Sequence, residues 1–420
     1  MDDTERERVL LVGGGGREHA IARAIAESDA ALFACASNRN PGITSLADGF
    51  EPVDETDPDA VVGPETPLAA GVTDALDAAG VYAFAPRQAE ARIETDKSFQ
   101  RSFLDEHGIA GNPDYAVFEA TDEACAYIDE YDGDLAVKPA GLTGGKGVRV
   151  TGEQVTKAEA KRYLRDSDYD RVVLEERLVG EEFTLQALVA NGDVRLTPAI
   201  QDHKRAYEGD EGPNTGGMGS YSDATRTLPF MNETEYAAAA DIVESVVDAL
   251  PDYKGILYGQ FMLTSDGPKI VEFNARFGDP EAMNTLPVLE TSFLDVLTAA
   301  RDGEPLPELD FADRATVCKY AVPAGYPTDP ESGALVTVDA DSAGDARLFY
   351  SSVDARADGI YTTTSRSFAV VGTGETIADA ETVAERALQQ AGDDGLRARH
   401  DIGTAALVQR RIDHMTALRE

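Results

Sequence analysis

The sequence contains no tryptophan and only three cysteines, Cys35, Cys125 and Cys318, which lie far apart and form no C-x-x-C pair. An odd number of scattered thiols predicts neither a disulfide framework nor a zinc site. The chain also lacks a long apolar run, and its start, MDDTERERVLLVGGGG, has no basic segment followed by an apolar core. We therefore expect a cytoplasmic protein without a membrane partner.

Basic residues are scarce. The chain has 37 Lys and Arg against 77 Asp and Glu, a formal net charge of -40, and the acidic excess is spread along its whole length. Such a surface repels nucleic acid and anionic lipid, so we expect no nucleic-acid partner. Dense like charge is tolerable where salt screens it over a few ångströms, which predicts a halophilic protein.

Only nine lysines are present, and Lys97, Lys138, Lys146 and Lys204 all lie in glycine-rich or strand-edge motifs. Where a composition has discarded lysine, the remaining ones are enriched for chemistry. These four are therefore the first candidates for contacts to an anionic ligand.

At 420 residues and 44.8 kDa the chain is too long for one hydrophobic core, which predicts two to four domains. Residues 9–95 alternate strands with helices, the pattern of a doubly wound parallel sheet. The predicted strands are VLLVG, LFACAS, AVVGP and YAFAP. A mixed region follows, and after about residue 305 come short strands and two helices.

The stretch GGGGREHA follows a strand and opens a helix, so free N–H groups and the helix dipole would favour an anion there. The dinucleotide fingerprint G-x-G-x-x-G is not met, because Glu18 and His19 occupy the positions of its last glycine. A terminal phosphate fits better than NAD. The alternative is a tight turn without a ligand, with His19 as a capping or core residue.

The stretch LAVKPAGLTGGKGVRV pairs two strands around a glycine-rich loop that carries Lys146, with Lys138 at the end of the first strand. Glycines let backbone N–H groups approach a polyphosphate, and the lysines supply positive charge. It is not a Walker A sequence, because Gly147 follows Lys146. A plain hairpin with a loop lysine is the alternative.

The stretch LEERLVGEEF has carboxylates at Glu175, Glu176 and Glu182 around Leu178. A connection of this kind can offer backbone groups to an adenine edge and a carboxylate to ribose hydroxyls. In so acidic a chain, a solvated acidic turn is an equally good interpretation.

The stretch VEFNARFGDPE alternates Glu272, Asn274 and Arg276 with apolar residues. Side chains two apart on a strand share a face, so Glu272 and Asn274 together present oxygen ligands suited to Mg2+. Arg276 could hold a phosphate or carboxylate beside the metal. An exposed antiparallel face would show the same alternation.

The glycine-rich loop with lysines, the EE-x-L-x-GEE segment and the later E-F-N strand, in this order, resemble the ATP-grasp fold. The stretches VLLVGGGGREHA, VVGPETPLAAG, QDHKRAYEGDEGPNTGGMGSYS, VEFNARFGDPE and RHDIG together resemble the phosphoribosylamine–glycine ligase family, from about Val9 to Ala406. The loop departs from the family pattern, reading KPAGLTGG where many members have K-A-D-G-L.

This resemblance implies a multidomain α/β and α+β protein. It implies a doubly wound, Rossmann-like substrate domain over residues 1–95, a central ATP-grasp domain over 96–305 and a C-terminal mixed, β-rich domain over 306–420. The implied reaction joins glycine to 5-phosphoribosylamine with ATP and Mg2+ or Mn2+, through glycyl phosphate, in purine biosynthesis. It also allows a transient contact with the preceding amidotransferase.

The resemblance assigns roles to residues of this sequence. For ATP it implies Lys97, Lys138, Gly144, Gly145, Lys146, Gly147, Glu175, Glu176, Leu178 and Glu182. For phosphoribosylamine and the closing loop it implies Gly14, Gly15, Gly16, Arg17, Glu18, Pro64, Glu65, Gly216, Gly217 and Met218. For the metal it implies Glu272, Asn274 and Gln260, and for catalysis Asp202, Lys204 and Arg276.

Three alternatives remain open from sequence. Another ATP-grasp carboxylate–amine ligase or carboxylase would share the ATP motifs. A dinucleotide-binding oxidoreductase is suggested only by the glycine-rich start. A non-catalytic nucleotide-binding module could lose Glu272 and Asn274, which are both present.

Overall fold

The structure, a computed structural model, describes residues 6–53, 65–141, 147–338, 343–391 and 395–420, without the side chains of residues 65 and 66. Gly144, Gly145, Lys146 and Pro64, all predicted site residues, lie outside the described residues, as does the side chain of Glu65. Within the described ranges, no helix has both the length and the apolar character needed to cross a bilayer.

The N-terminal segment builds a parallel sheet in the order β1-β2-β3. Its elements are β1 (Glu7–Val12), α1 (Gly16–Ala26), β2 (Ala30–Ala36), α2 (Pro41–Leu46), β3 (Gly49–Pro52), α3 (Glu65–Ala69), α4 (Val72–Ala78) and α5 (Gln88–Thr95). The predicted strands VLLVG and LFACAS are confirmed. AVVGP lies outside the described residues. YAFAP is not a strand, and Pro86 at its end has no N–H with which to extend a ladder.

A second unit forms the antiparallel sheet β4-β7-β5-β6 with its own small core of Ile128, Val137, Leu174 and their neighbours. Its elements are α6 (Lys97–Glu106), β4 (Tyr115–Phe118), α7 (Thr121–Glu130), β5 (Leu135–Pro139), β6 (Arg149–Val150), α8 (Lys157–Asp166) and β7 (Val172–Glu176). Pairing of Ala136 with Val150 confirms the predicted hairpin around the glycine-rich loop.

The central region continues with a four-stranded antiparallel sheet, β15-β14-β8-β9. Its elements, with the neighbouring ones, are β8 (Glu181–Ala190), β9 (Asp193–Leu196), β10 (Gln201–Asp202), β11 (Arg205–Tyr207), β12 (Glu211–Asn214), β13 (Gly219–Ser222), α9 (Glu233–Asp248), β14 (Gly255–Thr264), β15 (Gly267–Asn274), α10 (Glu281–Thr285) and α11 (Phe293–Asp302). The β14–β15 ladder has a bulge: Gln260 pairs with Glu272 and Phe261 with Ile270, so Val271 has no partner on β14.

The C-terminal region forms a six-stranded sheet that includes strands from the centre of the chain. Its order is β10-β13-β16-β21-β18, with β22 also paired to β16. The elements are β16 (Ala315–Pro323), β17 (Leu335–Val336), β18 (Arg347–Tyr350), β19 (Val353–Arg356), β20 (Gly359–Thr362), β21 (Phe368–Gly374), α12 (Ile377–Ala391), β22 (Leu396–Arg397) and α13 (Ala405–Arg419). Because β10 and β13 join this sheet, the segment after Gln201 is held between the central and C-terminal regions.

Local sequence signals explain where several helices begin. Thr156 with Glu159 and Asn232 with Glu235 form capping boxes at the starts of α8 and α9. Asp96 caps α6 by accepting hydrogen bonds from the N–H groups of Ser98 and Phe99. The cap at Asp96 fixes the start of the helix that carries Lys97 toward the site.

Candidate active site

A cavity of about 760 Å3 brings residues of all these regions together. The predicted site residues that line it are Arg17, Lys97, Lys138, Glu175, Glu176, Leu178, Glu182, Asp202, Lys204, Gly216, Gln260, Glu272, Asn274 and Arg276. The predicted residues Gly14, Gly15, Gly16, Glu18, Gly147, Gly217 and Met218 are described but do not line it. Met218, predicted for the substrate and the closing loop, is fully buried in the core.

Lys138 is held at the cavity by a buried ion network. Its Nζ lies 2.7 Å from Glu175 Oε2 and donates to the carbonyl of Val271 at 3.0 Å. Arg101 donates to both oxygens of Glu175, each at 2.8 Å. The bulge leaves the Val271 carbonyl unpaired with β14, so it can accept from both Lys138 and Arg101.

This network decides the charge states of its members. Burial lowers the pKa of Lys138, although Glu175 opposes that shift. Burial alone would raise the pKa of Glu175, but the charges of Arg101 and Lys138 outweigh it and lower that pKa. The Glu175 carboxylate is therefore committed to two cations, and only its backbone is left for an adenine edge.

Glu272 lies among cations. Its carboxylate is 4.0 Å from Lys97 Nζ and remains about a quarter exposed. Burial on its own would raise the pKa of Glu272, but Lys97, Lys204, Lys138 and Arg276 together lower it to about 2. The group is therefore ionised at neutral pH, as a ligand of a divalent cation must be.

The predicted metal ligand Gln260 is oriented otherwise than expected. Its Oε1 accepts from Lys204 Nζ, and its Nε2 donates to Glu182 Oε2 at 2.8 Å. Gln260 thus joins Lys204 to Glu182, and its side-chain oxygen accepts from an ammonium group. No group of three or more His, Cys, Asp or Glu side chains suited to a metal occurs in the described parts of the chain.

Arg276 lines the cavity just beyond the end of β15. Its Nε donates to Glu94 Oε1 at 3.0 Å, while Glu94 Oε2 accepts the Ala275 N–H at 2.8 Å. Glu94 belongs to α5 and its side chain is almost fully buried. The Arg276 side chain is therefore held in place by Glu94 of α5, the helix that joins the N-terminal segment to the central region.

Two further acids line the cavity, Glu281, which is buried, and Asp202, which is partly buried. Burial raises the pKa of Asp202 well above its ordinary value, and the neighbouring Glu281 adds to the shift. Burial also raises the pKa of Glu281, which accepts a hydrogen bond from the Tyr258 hydroxyl at 2.9 Å. Lys204 lies among these acids: burial alone would lower its pKa, but Glu182, Glu272, Asp202 and Glu281 raise it. Lys204 therefore keeps its positive charge beside these carboxyl groups.

The glycine-rich turn before α1 is largely satisfied by the protein itself. The Gly15 N–H donates to Glu18 Oε2 at 2.9 Å, and the Gly16 N–H donates to Ser351 Oγ at 3.2 Å. Arg17 pairs with Glu18 and donates to the Phe277 carbonyl at 2.9 Å, and it alone of these residues lines the cavity. His19 is a core residue, since it is buried and its Nδ1 accepts the Tyr350 N–H.

The C-terminal region contributes side chains to the cavity that no sequence motif indicates. Arg366 lines the cavity and donates to the carbonyls of Gly216 and Gly217 at 2.5 and 3.1 Å. Arg411 and His414 of α13 reach Glu181 at 3.3 and 2.6 Å, beside the predicted ribose contact Glu182. None of these three lies in a recognisable local motif, so only the fold reveals them.

Comparison with known proteins places this geometry in a family. Residues 7–94, 95–282 and 316–405 match the models of the phosphoribosylglycinamide synthetase N domain, ATP-grasp (A) domain and C domain. Similar curated proteins include phosphoribosylamine–glycine ligases of Methanosarcina barkeri and Methanopyrus kandleri. They are 50% and 44% identical, covering 98% of this chain and 100% and 99% of those proteins.

Solved structures show the same likeness. The crystal structure of phosphoribosylamine–glycine ligase from Thermotoga maritima is 25% identical with a TM-score of 0.80, covering 94% of this chain and 99% of that one. N5-carboxyaminoimidazole ribonucleotide synthetase from Thermotoga maritima, 14% identical, shares the fold with a TM-score of 0.65, covering 94% of this chain and 99% of that one. The predicted ATP-grasp architecture, with an N-terminal parallel sheet and antiparallel sheets elsewhere, is confirmed, and the chain belongs to the phosphoribosylglycinamide synthetase family.

Proposed function

We propose that this chain joins glycine to 5-phosphoribosylamine at the expense of ATP, giving glycinamide ribonucleotide, ADP and phosphate in purine biosynthesis. The observation that carries the proposal is that one cavity brings together lysines of the type that bind nucleotide phosphates, the ionised Glu272 carboxylate with the Asn274 amide, and Arg276 with several acids. Curated relatives about half identical over the whole chain support it.

A carboxylate is a poor electrophile, so glycine must first be activated. In the proposed first step a glycine carboxylate oxygen attacks the γ-phosphorus of ATP, and ADP leaves with glycyl phosphate formed. Lys97 and Lys138 would bind the phosphates, and Arg276 with Lys204 would hold the carboxylate and the developing acyl phosphate. No serine or cysteine nucleophile is needed, because positioning and charge neutralisation supply the catalysis.

Glu272 and Asn274 would hold a divalent cation, Mg2+ or Mn2+. One carboxylate and one amide oxygen are few ligands, but Mg2+ is often held by one or two carboxylates with substrate phosphates completing its shell. A bound cation would neutralise charge on the phosphates. Gln260, hydrogen-bonded to Lys204 and Glu182, would position those residues and would not itself be a ligand.

For the nucleoside, the segment from Glu176 to Leu178 would face adenine, with Glu175 limited to backbone contacts, and Glu182 would bind ribose. Phosphoribosylamine would enter beside Arg17 and the turn of Gly14 to Gly16. The carbonyls of Gly216 and Gly217, fixed by Arg366, would border the intermediate and help to exclude water. Gly144, Gly145, Lys146 and Gly147 remain proposed phosphate contacts, as do Pro64 and Glu65 for the second substrate.

We further propose that residues 1–95, 96–305 and 306–420 act as substrate, ATP-grasp and supporting C-terminal domains. The acidic composition supports work in a salt-rich cytoplasm. A transient contact with the amidotransferase that makes labile phosphoribosylamine would protect that compound.

The test is phosphate release in high KCl with Mg-ATP and glycine, with phosphoribosylamine generated from ribose 5-phosphate and ammonia. Release should require both glycine and the phosphoribosylamine source, with glycinamide ribonucleotide seen by mass spectrometry. Phosphate release that does not depend on glycine, or does not depend on the phosphoribosylamine source, would refute the assignment and indicate another carboxylate–amine pair.

A further inference from the structure

Asp279 is a cavity-lining carboxylate that the steps above do not use. It lies in the turn between β15 and α10, and its side chain is about one-tenth exposed. Its Oδ1 accepts from the Tyr320 hydroxyl at 2.6 Å, and its Oδ2 lies 3.2 Å from Arg366 Nη2. One lone pair on each oxygen is thus engaged, and each oxygen retains another.

Both partners come from the C-terminal region and are themselves held firmly. Arg366 donates to the Asp279 carbonyl at 3.0 Å as well as to the two loop glycines, and its guanidinium lies 4.5 Å above the Tyr320 ring. Burial raises the pKa of Tyr320 well above its ordinary value, so its hydroxyl keeps the proton that it donates. The orientation of the Asp279 carboxylate is therefore fixed before any ligand binds.

The same cluster contacts the turn that begins α1. A Cβ placed on Gly15 would lie 3.9 Å from Asp279 Oδ2, and one on Gly16 would collide with the Tyr320 hydroxyl. Ser351 Oγ connects the turn to Tyr320, since it accepts from the Gly16 N–H at 3.2 Å and lies 3.4 Å from the Tyr320 hydroxyl. Asp279 is thus situated between the N-terminal turn and the cavity that contains Arg276.

We propose that Asp279 accepts the proton of the attacking amine in the second step, with Tyr320 and Arg366 as positioning residues. This inference rests on the proposed function. The amine nitrogen of phosphoribosylamine forms a bond to the carbonyl carbon of glycyl phosphate, and the bond from that carbon to the phosphate oxygen breaks. Phosphate leaves with the electron pair, and the proton lost by the nitrogen passes to the Asp279 carboxylate.

The geometry favours Asp279 over four other acids that line the cavity. Burial raises the pKa of Asp202 and of Glu281, so a larger fraction of each is already protonated than of an ordinary carboxyl group. Glu94 and Glu175 are engaged with Arg276 and with Arg101 and Lys138. Asp279 combines a position next to the N-terminal turn with a fixed carboxylate that can still accept.

The test is Asp279→Asn, which keeps the side-chain shape and an acceptor for Tyr320. With phosphoribosylamine, kcat should fall by about 10²- to 10⁴-fold, the usual contribution of a positioned acid or base. With hydroxylamine, a small and weakly basic nucleophile that traps acyl phosphates, glycine-dependent hydroxamate formation should be retained. That retained activity also shows that the variant folds, binds ATP and activates glycine.

Asp266→Asn is the matched control, because Asp266 is exposed in the turn between β14 and β15; both reactions should be unaffected. Tyr320→Phe should lower kcat with phosphoribosylamine by a smaller factor and leave the hydroxylamine reaction intact. Equal loss of both reactions in Asp279→Asn would mean a structural role, and no loss of either would mean no role. Each result overturns the inference, whereas failure of the unaltered protein to form product would overturn the proposed function itself.

Discussion

Replacement of Glu175 by glutamine should weaken both the central fold and the nucleotide site. In the native protein the side chains of Glu175, Arg101 and Lys138 are 3%, 1% and 7% exposed, so the carboxylate neutralises two cations that solvent barely reaches. Removing one partner of such a buried pair costs about 3–5 kcal/mol, because the other charge is left uncompensated. Salt screens buried pairs weakly, so the loss should persist in high KCl.

A chain of several domains does not unfold in one step, so the effect is best measured locally. Native-state hydrogen exchange of amides in β5 and β7 reports the opening of the sheet that contains Glu175. A loss of about 3 kcal/mol should make that exchange roughly a hundredfold faster, at about 1.4 kcal/mol per factor of ten. Glu176→Gln is the stability control, since Glu176 has a distant, partly exposed pair with Lys269 at 3.9 Å and accepts the Asp114 N–H at 3.1 Å, a hydrogen bond that a glutamine oxygen can also accept.

The same variant should raise the KM for ATP. Without Glu175, burial and Arg101 would lower the pKa of Lys138 further, so Lys138 would lose its proton at a lower pH than in the native protein. The KM should therefore improve as the pH is lowered and Lys138 regains its proton. The reasoning would be refuted if exchange in β5 and β7 matched that of the Glu176 control and the KM for ATP stayed at its native value.

The remaining predictions concern the cation position, the arginine and a buried histidine. Glu272→Gln should raise the Mg2+ concentration needed for half-maximal turnover by about tenfold or more, and a titration unchanged from the native one would exclude Glu272 as a ligand. Arg276→Ala should raise the KM for glycine and lower kcat, and Glu94→Gln should cause a smaller change in the same direction; in the Arg276→Ala background the second change should have no further effect, as a double-mutant cycle would show. Burial, helped by Arg23, lowers the pKa of His19 to about 4. Above pH 6.5 the imidazole is neutral in both the folded and the unfolded protein, so the His19 contribution to stability is fully present there. As the pH drops from 6.5 toward 4, only the unfolded form gains a proton, and the free energy of unfolding should fall. His19→Gln has a side-chain oxygen that can accept the Tyr350 N–H. It should flatten the pH dependence of hydrogen-exchange protection in β18, which contains Tyr350, between pH 6.5 and 4.5, and an unchanged dependence there would contradict the assignment.

The sequence reveals those parts of the site that depend on local spacing. Alternation along VEFNAR predicts that Glu272, Asn274 and Arg276 face one way, and all three line the cavity. It cannot reveal that Glu175 is committed to Arg101, because those residues are 74 positions apart and meet only when α6 packs beside β7. Arg366 is hidden for the same reason, since its importance comes from loop carbonyls about 150 residues away.

The failed strand prediction at YAFAP has a similar cause. Alternating apolar residues there suit a strand, but Phe84 and Tyr82 are partly buried packing residues, and the backbone at Ala85 lies within 3 Å of the position of a Cβ on Gly255. Tertiary contact with β14 takes the place of sheet pairing. The local preference for a strand is outweighed by the close contact between Ala85 and Gly255, which are far apart in sequence, and a pattern within one segment cannot predict such a contact.

The bulge at Val271, which has no pairing partner on β14, changes which side chains of β15 lie on the same face of the sheet. In an unbroken strand Ile270 would point the same way as Glu272 and Asn274. With the extra residue, Ile270 and Phe273 are both buried in the same hydrophobic core, and the polar pair emerges on the other side. A deletion of Val271 would therefore force the chain to choose between exposing a hydrophobic side chain and turning its acid and amide inward. The one-residue insertion lets a single short strand place two hydrophobic side chains, Ile270 and Phe273, in one core and still present a polar pair near its end.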